Sequence, residues 1–465
     1  MRKWIGNLRP LLGNGIAVLQ APNFPMLAGI GIAALGALML VQGLKGPWYR
    51  VPLSIGEDGD LIYSKSMWEM PLKTVLCGVV FLSLGIWLRR WRDVLLRAKV
   101  FYSIGLAAFV VGLTFSHLTI VNEGELSHRA AWILSQHDNL TWLGGDIYTA
   151  REYEQVGGGL DLMAKDPQQI LGSVPLPYFS VDLGSLHDLF DWMGLGSPFT
   201  TFKGKGWGFL MVGAIFTMVG ALATRLPGAR DRLASQVVSF GVRSTGIAMI
   251  CFFGAVGARV AVAAKALENA REFGDDADYP AAVASMEWAK RVMPCLHFDT
   301  SMIVQQGLYE HQNRRETPAA NYYRALVLET GNFKTQAESI YINLTESADE
   351  PVRREALRAL FRLGIIDFNS GQEMAALRRT ESLLTEFPAL PKALYVRLLL
   401  AVRLGQKDEA FVSLKRLYTV AGGIDLSEKR SYLSSGHQHL IDLAYSAGDY
   451  HEAWKQSVNR VELEK

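Results

Sequence analysis

The chain has 465 residues, 49% of them apolar and 20% charged, with a formal net charge of +2. That length accommodates two or three domains with ample surface to bury, and the near-neutral charge gives no reason to expect nucleic acid as a partner. Cys77, Cys251 and Cys295 stand singly, without the paired spacing of covalent haem, a zinc site or a disulfide framework.

Residues 1–24 are expected to be an N-terminal cytoplasmic segment. They are polar and rich in Gly and Pro, and the apolar run that follows is too long for a cleaved signal peptide. A membrane-crossing helix needs about 20 predominantly apolar residues, and windows 25–44, 71–88, 101–121 and 207–224 satisfy this. A fifth, 245–264, is interrupted by Arg259 and spans if that side chain snorkels to the interface. The expected organisation is three transmembrane helices with short loops (25–121), an extracytoplasmic loop region (122–206), two transmembrane helices (207–264) and an extracytoplasmic domain (265–465).

Basic residues in short loops set the orientation. Arg89, Arg90, Arg92, Arg97 and Lys99 face only Asp93, and Arg225, Arg230, Arg232 and Arg243 face only Asp231, so both loops are expected inside the cytoplasmic (inner) membrane. The N-terminus is then inside and the C-terminal domain outside, in the periplasm if the cell is Gram-negative. Small residues at Gly29, Gly31, Ala34, Gly36, Gly213, Gly220, Gly254 and Ala258 offer close backbone approach, within one bundle or to other integral membrane subunits. No span carries a lone Asp, Glu or Lys near its middle, which disfavours transport.

In the loop region, His128, Trp132, His137 and Asp138 lack a partnered ligand set, and Gly157, Gly158 and Gly159 lack the lysine of a phosphate loop. Leu186, Leu189, Phe190 and Met193 fall on one face of a short amphipathic helix. Beyond it, Ala258 to Glu272 contains neither a helix-breaking glycine nor a proline, so the fifth span is expected to run on as a repeat helix to about Phe273.

The C-terminal part repeats. Glycine precedes alanine by five residues at Gly371/Ala376, Gly405/Ala410 and Gly448/Ala453, the first two sets lying 34 residues apart. Pro294 and Pro388 each follow an alanine, Ala282 and Ala376, by twelve. Glycine permits the turn, alanine lets the next helix pack closely and proline stops it. With Leu363 and Gly364 supplying a Leu-Gly pair, residues 267–465 resemble tetratricopeptide-repeat (TPR-like) proteins. The expected fold class is therefore all-α, about five transmembrane helices followed by a TPR-like α-α hairpin superhelix. The resemblance implies a groove for a protein partner on the outer face, lined by Arg358, Lys392, Tyr395, Arg403, Gln438, Asp442 and Tyr445. His437 and His439, two apart on a helix, point in different directions and make a poor metal site.

No catalytic, cofactor or metal motif is found, so the expectation is no enzyme but a membrane-anchored scaffold or assembly factor in contact with the lipid bilayer. The arrangement is similar to membrane-anchored repeat proteins of cytochrome c maturation, with more spans and no shared motif. The alternatives are a permanent accessory subunit of a membrane enzyme complex and a membrane enzyme with its site in the outer loop.

Overall fold

The computed structural model describes residues 24–89, 94–137, 192–196, 199–223, 231–331, 333–423 and 429–464. Residues 1–23, the side chains of Trp132 and His137, Asp138, the triple glycine and positions 186–191 of the expected amphipathic stretch lie outside the described residues. Described residues are mostly helical. Helix α1 (Phe24–Lys45) is followed by a hairpin of β1 (Arg50–Ile55) and β2 (Leu61–Lys65), then α2 (Glu69–Arg89), α3 (Val94–Asn122), α4 (Gly124–His137), α5 (Phe199–Phe202), α6 (Lys205–Ala223) and α7 (Asp231–Asp275). Ten more helices follow: α8 (Tyr279–Val292), α9 (Thr300–Gln312), α10 (Pro318–Thr330), α11 (Lys334–Leu344), α12 (Glu350–Asn369), α13 (Glu373–Glu386), α14 (Pro391–Arg403), α15 (Lys407–Gly423), α16 (Lys429–Ser446) and α17 (Tyr450–Glu464).

Among the described residues, five helices are long and apolar enough to cross a membrane: α1, α2, α3, α6 and α7. All five expected windows fall on them. Two start earlier than expected: α3 at Val94, because Arg97 and Lys99 do not interrupt helical propensity, and α7 at Asp231, from where it runs unbroken to Asp275, past the expected span and on to about Phe273 as expected. The β-hairpin is an addition to the all-α expectation. Its turn closes with Gly56 N–H donating to Asp60 O at 2.8 Å, and Gly59 takes the left-handed conformation at φ +85°.

The chain separates into two compact units. The first comprises Met1–Arg50, Lys65–Thr119 and Lys203–Gly257, and its closest pairing is antiparallel, α1 on α6. Glycines spaced by seven meet backbone on the opposite helix. A β-carbon at Gly36 would lie 2.5 Å from Thr217 N, at Gly43 2.7 Å from Leu210 N, at Gly213 2.8 Å from Leu40 N and at Gly220 2.4 Å from Ala33 N. By contrast, Gly31 and Gly254 face open space. Beyond the C-terminal end of α1, Trp48 is buried edge-on against Phe115 at 5.0 Å, and its indole donates to Gly43 O at 2.8 Å. Buried Glu69 accepts from Trp48 N at 3.1 Å and from Lys73 Nζ at 2.6 Å, so this acid is paired.

The second unit comprises Val51–Ser64, Ile120–Phe202 and Ala258–Lys465. Each helix from α8 onward packs on its neighbours in sequence, most closely α9 on α10, α12 on α13, α14 on α15 and α16 on α17. Ala282, Ala376, Ala410 and Ala453 are buried, as their small size and spacing suggest. Gly371, Gly405 and Gly448 have φ of +76°, +68° and +75°, and the following amide bonds back to the carbonyl five residues earlier, as in Gln372 N to Asp367 O at 2.8 Å. This is the Schellman ending of a helix. Two further helices end the same way without glycine: Ala277 and Arg314 occupy the left-handed position at φ 59° and 55°. The hairpin belongs to this unit, with Tyr63 Oη donating to Gly423 O at 3.4 Å.

Candidate partner-binding surface and buried joint

The first helices of successive pairs, α12, α14 and α16, carry the seven residues expected to line a groove. They are not equally available. Tyr395 is buried, 5% exposed, and its hydroxyl shares a hydrogen bond with Ser435 at 2.5 Å, joining α14 to α16. This corrects its assignment to the groove: the apolar ring is drawn into the helix contact and its polar end is satisfied there. Arg358 is half-buried, donating to Thr300 Oγ1 at 3.3 Å beside Glu355. Lys392 is half-buried on α14.

Arg403 keeps an exposed guanidinium that stacks 3.7 Å over the Phe368 ring and donates to Phe368 O at 2.7 Å. On α16, Gln438 donates to Asp442 at 2.8 Å, and Tyr445, 65% exposed, stands edge-on to Tyr450 at 5.2 Å. Arg403, Asp442 and Tyr445 are therefore the exposed members, combining a fixed cation, a carboxylate and an aromatic ring. Such side chains suit protein recognition.

A second feature of the same unit escaped the sequence reading. Helix α4, at the start of region 122–206, is docked through polar and charged side chains, several of them buried. His128 Nε2 lies 3.6 Å from Glu355 Oε1, both deeply buried. Arg354, 1% exposed, reaches Glu125 at 2.6 Å and Glu350 at 2.5 Å, and its guanidinium lies 5.4 Å from the Phe298 ring and 5.2 Å from Phe387. Arg129 stacks over Phe387 at 4.8 Å. Burial lowers the His128 pKa and favours neutral imidazole, against the pull of Glu355. Burial would raise Glu355, yet Arg358 and His128 hold it below the ordinary carboxylate value. Arg259, expected to snorkel, instead donates to Val292 O at 2.7 Å and to Asn122 Oδ1.

Beneath α4 lies a cavity of about 10 Å³ lined by Gly124, Ser127, His128, Trp192, Cys295, Leu296, Phe298 and Asp299. It holds no more than one water-sized molecule, far below the few hundred Å³ of ligand sites. Asp299 caps α9, Oδ1 accepting from Met302 N at 3.1 Å and from Ser301 Oγ, while Oδ2 is buried without a hydrogen bond. Burial raises this carboxyl to about 6 and the Cys295 thiol to about 12. A thiol held so firmly protonated is a poor nucleophile. Among the described residues no three His, Cys, Asp or Glu side chains converge to hold a metal ion.

Two signals were available in the sequence. The run Arg353, Arg354, Glu355 sets three charges side by side, so that they cannot all lie on one face of a helix, and Tyr450, Trp454 and Val461 fall on one helical stripe. No family model, curated protein or solved structure matches the chain.

Proposed function

We propose that this protein is a membrane-anchored scaffold or assembly factor, whose TPR-like domain binds a protein partner of a membrane complex on the outer face. The observation that carries the reading is the composition of the second unit. Five spans joined in sequence put the segment after α1, the segment after α3 and everything after α7 on the same side of a bilayer. The second unit is assembled from those three segments, Val51–Ser64, Ile120–Phe202 and Ala258–Lys465. The basic loops at 89–99 and 225–243 favour the opposite, cytoplasmic side for the N-terminus. The His128–Glu355 contact and the bridge from buried Arg354 to Glu125 fasten α4 to the helix pairs, supporting a rigid recognition body over a reactive site, and the exposed Arg403, Asp442 and Tyr445 supply its recognition chemistry.

A second reading, a permanent subunit of a membrane enzyme complex, is favoured by α2. Only 6% of this span is buried, and Gly78 and Gly85, seven apart, face open space. Purification in mild detergent followed by mass spectrometry tests both. A partner lost from the variant Arg403→Ala/Asp442→Ala/Tyr445→Ala, with the circular dichroism spectrum unchanged, supports the scaffold. A fixed stoichiometry that survives this variant favours the permanent subunit. Undiminished capture together with loss of cellular activity in His128→Ala would sink both.

A further inference from the structure

Helix α17 buries Ala453 and Gln456 and packs on α16. Its other side carries Tyr450, Trp454 and Val461, 63%, 66% and 52% exposed, at spacings of four and seven that place them on one stripe. Tyr445 widens that stripe. A helix face turned to water is ordinarily polar, and this one carries three large apolar side chains.

Charges flanking the stripe select what covers it. Exposed Lys455 lies toward the N-terminal half of the helix and exposed Glu462 toward the C-terminal half. When α17 is laid antiparallel on a copy of itself, with Trp454 opposite Val461, each Lys455 comes within about one helical turn of Glu462 on the other copy. A parallel arrangement sets like charge beside like.

We propose that α17 is a self-association surface, pairing two copies of this chain about a two-fold axis. A contact of this type uses the same patch twice and closes at a dimer. One pair of short helices buries less than an obligate interface does, so the pairing draws on confinement of both copies to one bilayer, which raises their effective concentration. Tyr445 is shared with the proposed partner surface, so the test rests on Trp454, Lys455, Val458 and Glu462, which lie outside it.

The test uses the full-length protein in its membrane. Val458→Cys puts a thiol beside the expected axis, and the parent chain, with its own three cysteines, sets the baseline. Mild oxidation should yield a disulfide-linked dimer. Adding Trp454→Glu should cut the linked fraction by about tenfold, the scale of losing an aromatic anchor. Lys455→Glu should also lower it, and adding Glu462→Lys should restore it. Circular dichroism of each variant checks the fold, which exposed Trp454, Lys455 and Glu462 and half-buried Val458 should leave intact. A linked fraction no higher than the parent overturns the proposal. So do insensitivity to Trp454→Glu, no recovery on charge reversal, or a stripe that instead retains a different protein lost on Trp454→Glu.

Discussion

The two units solve the same problem, bringing helices together, by opposite means. In the first, α1 and α6 approach until a β-carbon at Gly36, Gly43, Gly213 or Gly220 would lie within 3 Å of backbone on the opposite helix. In the second, helices interlock through side chains, with alanine at the tightest points and charged groups buried between them: Arg362 grips Glu329 at 2.8 and 2.5 Å while Tyr341 donates to the same carboxylate at 2.8 Å. The difference is the one that the proposed topology calls for. Lipid offers no hydrophobic gain for association, so close backbone packing must supply it; water rewards apolar burial and tolerates buried ions only when they are fully paired.

The comparison is broken most severely at the paired ions. Arg362→Leu strands Glu329 in the core, and thermal unfolding of the full chain in detergent should show a loss of about 3–5 kcal/mol. Adding Glu329→Leu should recover much of it; no recovery would mean that the ion pair itself is the source of stability. Next comes pH. The Asp299 carboxyl is raised from 3.8 to about 6, so the folded state holds its proton more tightly than the unfolded chain does. The stability this contributes is complete below about 3.8 and is lost as pH rises through about 6, roughly 3 kcal/mol in all. Asp299→Asn keeps a capping side chain and should flatten the melting temperature over that range relative to the parent. An identical slope in both would refute the assignment.

Smaller effects compare the two kinds of close contact directly. Gly213→Leu and Ala410→Trp should each cost about 1–3 kcal/mol, the membrane substitution at the upper end because its obstacle is backbone. Gly254→Ala, which faces open space, serves as the neutral control. Smallest is the gain at the two strained turns: Ala277→Gly or Arg314→Gly relieves a left-handed residue and should raise stability by about 1 kcal/mol. A fall in the melting point would show that these side chains make contacts worth more than the strain.

What the sequence disclosed depended on whether a signal was local. Five apolar windows sufficed for five long helices, and glycine marked three turns, because hydropathy and positive φ act within a few residues. Ala277 and Arg314 gave no such mark, since any residue can be forced into that conformation by the helices on either side. The β-hairpin was passed over as a short loop, although Gly56 and Gly59 bracket its turn. Of the expected groove, Arg403, Asp442 and Tyr445 are exposed, whereas Tyr395 is not: repeat spacing gives the face of a helix but not which neighbour leans on it. His128, Glu125, Arg354 and Glu355 carry no local mark of their pairing in the sequence. Only contact over more than 200 residues of chain reveals them as a joint.

The glycine seam between α1 and α6 also has a history in time. Its halves are made roughly 160 residues apart, so at ordinary synthesis rates of about 5–20 residues per second α1 waits some 10–30 s for its mate. During that interval a bare stripe of backbone stands in the membrane, open to any passing helix with glycine of its own. The order of synthesis, α1 first and α6 much later, is therefore a constraint on this fold beside the seven-residue spacing.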